Sequence, residues 1–187
     1  MMNLLVMAGA GVATAVGSVS YRLRLRWLDR TLDAYFDRVD ALRPDEVSAM
    51  ATECVAEFGS RLGMELDLDD LEGSAGKLDK AFATRRTIAL LRTPDQLFRA
   101  AELAGAFAGE LVRRHGRGEW MMGGGRSPGV RVRRPDGDRE IFPFVDTLNH
   151  FKTGRTGDLR SLILFVAGRD GVQLRSGHWA ENREPME

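Results

Sequence analysis

Between Met1 and Val19 the chain carries no charged side chain, and beyond Tyr21 apolar residues return every third or fourth position. The first stretch, LLVMAGAGVATAVGSV at its centre, is about the length that crosses a bilayer at ~1.5 Å per residue. It predicts a hydrophobic N-terminal helix over residues 1–20 that spans a membrane or acts as a signal anchor. The alternatives are a helix buried in a globular core and an extension from a misassigned start. Positive charges follow the apolar run rather than precede it, which favours an anchor over a cleaved signal peptide. Gly9, Ala13 and Gly17 recur at four-residue spacing, a stripe of small side chains on which a second helix can close, so a homo-oligomer through this helix is expected.

Tyr21, Leu25, Leu28, Leu32, Tyr35, Val39 and Leu42 form one helical stripe. A two-stranded coiled coil would set Arg38 against Arg43, and Phe36 widens the stripe, so packing on a core is favoured. Pro44 starts a second helix with Val47, Met50, Cys54, Phe58 and Leu62 on one face and Gly63 as its stop. The acidic run Met64–Glu72 lacks the spacing of a calcium loop and reads as a helix start or surface acid. A short helix is expected around Lys77–Phe82. Thr93-Pro94-Asp95-Gln96 is a capping box with proline at the first helical position. The helix it opens should run to His115 with Gly116 as stop, and its alanine- and glycine-rich middle marks it as the central buried helix.

After this helix the period changes. Val130 and Val132 alternate with Arg131 and Arg133, and Pro135-Asp136-Gly137 is a turn, so a small antiparallel sheet is expected from GEWMM, Val130–Arg134 and Arg139–Phe144. Helices follow at Val145–Lys152 and Asp158–Ala167. The expectation is an α+β fold: a hydrophobic helix over 1–20, one α+β domain over 21–167 (helical over 21–115, sheet and helices over 116–167), and a polar tail over 168–187 from which Trp179 can dock back.

Composition narrows the chemistry. The 187 residues hold 27 Lys and Arg against 27 Asp and Glu, so no global field draws the protein to nucleic acid, and no nucleic-acid partner is expected. The lone Cys54 excludes an intramolecular disulfide and points to a reducing compartment; with His115, His150 and His178 scattered, no metal site and no cofactor are expected.

Templates for catalysis fail in turn. The Gly123-Gly124-Gly125 loop has no following lysine and hydroxyl pair, and neither Gly76-Lys77 nor Ser127 has the setting of a phosphate loop or a nucleophile elbow. Cys54 falls on an apolar helix face, where a thiol is inert. Glu102, Glu110, Glu119 and His115 invite an acid/base reading, but a five-residue step turns a helix by about 500° and leaves Glu110 and His115 about 140° apart. His115 is better explained by the helix dipole. Tyr21, Arg22, Arg24, Arg26 and Trp27 make the clearest exposed cluster, a candidate membrane interface in which the arginines hold anionic lipid. Arg131, Arg133 and Arg134 form a smaller patch on the wet face of the sheet.

Read together, LDLDDLEGSAGKLDKAF, LAGAFAGELVRRHGRGEW and VRVRRPDGDREIFPFVDTLNHFKTG, over residues 66–162, resemble an uncharacterised family of small bacterial α+β domains. Arg117-Gly118-Glu119-Trp120 stands where that pattern has two glycines and a tryptophan. The resemblance implies a bacterial α+β domain with no established site residues, and Trp120 and Phe144 are read as core. Arg22, Arg24, Arg26 and Arg30 after the apolar run place the N-terminus out and the body in the cytoplasm of an inner-membrane protein. The anchor, the small-residue stripe and the failure of every catalytic template lead to the expectation that it binds another protein without catalysis. Two alternatives stand beside it. One is a cytoplasmic immunity-like or accessory protein whose acidic segment Asp67–Glu72 neutralises a partner; the other is an enzyme with a site built from Glu102, Glu110 and arginines.

Overall fold

In a computed structural model the chain divides into two compact units, Met1–Asp37 and Arg38–Glu187. The structure describes residues 32–83, 93–122, 127–153 and 157–169, with positions 155, 171, 172 and 174. Of the first unit only residues 32–37 are described, and they are helical.

The described residues form six helices and one three-stranded antiparallel sheet, an α+β fold. Helix α1 covers residues 32–40, with Tyr35 and Val39 buried as the stripe predicts. It is followed by α2 (Pro44–Leu62), α3 (Leu71–Ala83) and α4 (Pro94–Gly116). The strands β1 (Glu119–Met121), β2 (Gly129–Val132) and β3 (Arg139–Ile141) come next, then α5 (Pro143–Thr153) and α6 (Asp158–Val166).

Local chemistry sets most of these boundaries. At the start of α2, Pro44 takes the first turn and Glu46 accepts from the Arg43 backbone N–H at 2.8 Å. The helix ends where Gly63 turns left-handed at φ 62°, its N–H reaching the Gly59 carbonyl and that of Met64 the Phe58 carbonyl. The acidic run serves as a helix start: Asp70 Oδ1 caps α3 through the Gly73 N–H at 2.9 Å. That cap lengthens α3 well beyond the short helix expected around Lys77. At α4 the Thr93 hydroxyl accepts from the Gln96 N–H and the Gln96 amide oxygen from the Thr93 N–H, the expected capping box.

Helix α4 is the axis of the second unit. Every residue from Ala100 to Val112 is buried, Glu102 and Glu110 included, and α2, α3, α5, α6 and β2 all pack on it. Burial on all sides requires close approach. A Cβ added at Gly105 would stand 2.9 Å from the Phe144 Cα, and one at Gly109 would run into the Trp120 ring and come 3.0 Å from Pro143.

Gly116, expected to stop α4, lies inside it. A side chain there would stand 2.8 Å from Val132 and 3.3 Å from the Ala167 Cα, so this glycine serves packing. The left-handed stop passes to Arg117, at φ 55° the one non-glycine residue with positive φ among the described residues.

The sheet has the order β1-β2-β3, with Trp120 opposite Val130 and Val130 opposite Ile141. Val130, Val132 and Ile141 are fully buried on the face turned to α4. The strands are shorter than the sequence pattern predicts, since Phe142 and Pro143 already lead into α5: Asp146 accepts from the Phe142 N–H at 3.0 Å and fixes that turn.

Among the described residues no helix is long and apolar enough to cross a membrane. This corrects the expectation of a single-pass transmembrane protein, because the most apolar helix described, α6, is nine residues long against about 20 for a span. The segment Met1–Val19, with Gly9, Ala13 and Gly17, and the cluster Tyr21, Arg22, Arg24, Arg26 and Trp27 lie outside the described residues, as does Trp179.

Replacing Gly105 with alanine should lower unfolding free energy by about 1–3 kcal/mol, because the clash is with Phe144 backbone and outweighs the ~1 kcal/mol gain in helix propensity. Urea denaturation measures it; a G105A protein as stable as wild type would show that α4 and α5 are not in close contact.

Candidate functional site

Two buried polar knots and one exposed sheet face bring together several of the residues expected to do chemistry or recognition. The first knot centres on Glu110, whose side chain is 1% exposed. Arg113 grips its carboxylate with both Nε and Nη2, at 2.9–3.1 Å. Trp120 Nε1 donates to it at 2.9 Å and the Ser48 hydroxyl at 3.1 Å, so β1 and α2 are both tied to α4 through one carboxylate. Burial alone would push the Glu110 pKa up; the bonds from Arg113, Trp120 and Ser48 and the Arg113 charge outweigh it and hold the pKa below the ordinary 4.5. An ionised acceptor with all its donors inside the fold has no proton to give a substrate.

The second knot was not legible as a site. Asp79 and His150 are 3% and 1% exposed. Helix α6 starts at Gly157, which has φ 95° and no side chain to cap with. The Asp79 carboxylate replaces the missing cap from α3: it accepts from the N–H groups of Gly157 at 2.6 Å, Leu159 at 3.1 Å and Arg160 at 3.2 Å. His150 Nε2 donates to the Asp79 backbone carbonyl at 2.9 Å and lies 3.6 Å from its carboxylate. A His–Asp pair resembles catalytic machinery, but this one is sealed and its carboxylate is engaged by a helix terminus. One signal was available: Asp79 sits on the face of α3 that buries Ala75, Leu78 and Ala81, where an acid is unexpected unless something bonds it.

The other expected residues scatter. Glu102 pairs with Arg38 at 2.9 Å and Arg99 at 3.6 Å, and Arg99 reaches Glu53 at 2.6 Å. His115 Nε2 donates to the Leu68 carbonyl at 3.0 Å, a specific bond in addition to any dipole effect. Cys54 is fully buried and its thiol pKa is pushed far up, by burial first and by Glu53 second, so no thiolate forms near neutral pH. Among the described residues no group of three or more His, Cys, Asp or Glu can hold a metal ion. Phe144 is core at 0% exposure, whereas Trp120 is only partly buried and spends its N–H on Glu110.

The outer face of the sheet is the exposed arrangement with order to it. Glu119, Arg131 and Glu140 face one another across the three strands. Arg131 bonds Glu140 at 2.8 Å, and Arg133 reaches back to Glu119 at 2.8 Å. The expected basic patch is therefore a mixed-charge row, and Arg134 leaves it to bond the Gly168 carbonyl at 3.1 Å. The next row is apolar: Met121 lies opposite Gly129, and a Cβ on Gly129 would stand 2.8 Å from Met121 Cε and 3.1 Å from the Phe142 ring.

No protein-family model matches the chain, and no curated protein and no solved structure matches it either.

Replacing Glu110 with glutamine should cost about 2–3 kcal/mol, since Arg113 and Trp120 lose a charged acceptor while Arg113 regains some water. Because the Glu110 pKa is lowered on folding, its contribution is fully present above pH 4.5 and is lost as pH falls through the folded pKa. The stability gap between wild type and E110Q should therefore be flat near neutrality and close on acidification below that value; a gap independent of pH would refute the ionised knot. Replacing Asp79 with alanine should cost about 2 kcal/mol. Hydrogen exchange should quicken first at the Leu159 and Arg160 amides, and exchange there at the wild-type rate would remove Asp79 as the cap.

Proposed function

We propose that the chain is a protein-interaction protein without catalytic activity, and that it presents the outer face of its three-stranded sheet to a partner protein. The observation that supports this is the Met121–Gly129–Phe142 row. A glycine on the middle strand leaves space above its backbone that two large apolar side chains approach, while both stay partly exposed. An apolar strip beside a polar rim is the anatomy of a recognition surface. Arg131 and Arg133 are matched by carboxylates on the neighbouring strands, which disfavours a nucleic-acid backbone as the partner.

The acidic segment supports the alternative of a neutralising protein less well. Asp70 is spent on capping α3, Asp67 accepts from the Asp69 N–H at 2.8 Å, and Arg114 and Arg169 stand against Asp69 and Glu72.

The test compares wild type, M121K and A56K, the last on an exposed position of α2, by proximity labelling with the full chain in its native host. Proteins labelled by wild type and by A56K should fall about tenfold with M121K at an unchanged melting temperature. Equal labelling by all three proteins removes the sheet face as the docking surface.

A further inference from the structure

Helices α3 and α6 pack side by side, joined at one end by Asp79 on the start of α6 and at the other by Arg169, whose Nε is 3.5 Å from Glu72. Between these ties α3 has a glycine. A Cβ on Gly76 would lie 3.7 Å from Cδ and 3.8 Å from Nε of Arg160, so the Arg160 side chain runs alongside the bare helix backbone. On the same side of α6 lies an open depression of about 610 Å³ that Arg160 helps to line. Glu72, Arg160, Ser161 and Arg169 line it, with Leu164 and Val172 as apolar lining.

Many of the surface arginines are paired within the fold. Arg99, Arg113, Arg131, Arg133 and Arg139 each hold a carboxylate. The Arg160 guanidinium holds none among the described residues, although packing against Gly76 restricts it. Arg169 is bound only through a long contact to Glu72 in which both side chains are 56% exposed, an ion pair that costs little to exchange. Two guanidinium groups and a hydroxyl against one carboxylate leave donors and positive charge in excess.

We infer that this depression binds the phosphate group of a small phosphorylated molecule. The planar fork of Arg160 matches two phosphate oxygens, Ser161 supplies a hydroxyl donor, and Arg169 turns from Glu72 to the ligand. The volume exceeds what a phosphate alone fills and lies within the usual range for small-molecule sites, leaving Leu164 and Val172 to meet the remainder of the ligand. This site is independent of the outer sheet face.

The experiment titrates inorganic phosphate into the isotope-labelled full chain at constant ionic strength, with chloride as the balancing anion, and follows the amide signals. Saturable shifts at Arg160, Ser161 and Arg169 are expected, weakened about tenfold in R160Q and about threefold in S161A, and unchanged in R133Q. The exposed position of Arg160 makes loss of fold in R160Q simple to exclude from the remaining signals. Shifts that fail to saturate, or that match in wild type and R160Q, overturn the inference.

Discussion

A helix enclosed on every side must satisfy every polar group it carries from its neighbours, and α4 carries two glutamates into such an enclosure. Glu110 meets the demand by collecting donors from three elements: Arg113 on its own helix, Trp120 on β1 and Ser48 on α2. The same bonds that solvate the carboxylate also orient the strand and the helix that supply them. Trp120 is held by its ring against Gly109 and by its N–H against Glu110, one helical step apart. The sheet is therefore fastened to α4 by a packing contact and a charged hydrogen bond from the same side chain.

The contact between α3 and α6 follows a comparable rule with different parts. Helix α6 is rich in leucine and isoleucine and has a glycine at its start, so burial drives its docking while its first N–H groups lack a local acceptor. Asp79 supplies that acceptor across the α3–α6 contact, and its own backbone carbonyl receives His150 from α5. Three helices meet at one residue. An acid that solvates a helix terminus is held in place, and this is why a buried His–Asp pair here serves architecture.

What remains exposed is where recognition can occur. The outer sheet face joins a charge-balanced row to an apolar row, and the α3–α6 depression holds an arginine without a carboxylate. Each has a glycine near it: a side chain on Gly129 would run against Met121 and Phe142, and the Arg160 side chain runs alongside Gly76. The two surfaces suit different ligands, since one offers apolar contact with balanced charge and the other an excess of hydrogen-bond donors.

The amino-acid sequence by itself determined the elements whose cause is local. The stripe of α2 and its Gly63 stop, the Thr93–Gln96 box of α4, the alternation of Val130 and Val132, and the α+β class follow from periodicity and cap chemistry within a few residues. The left-handed turn at Arg117 and the partners of Asp79, His150, Glu102 and Glu110 were decided by the tertiary structure. Asp79 and the α6 amides are 80 residues apart, and Gly116 is required by Val132 and Ala167, so no local window holds both halves of either interaction. Helical periodicity shows which face of an element is apolar, but an acid on that face acquires its role only when folding brings its donors to it.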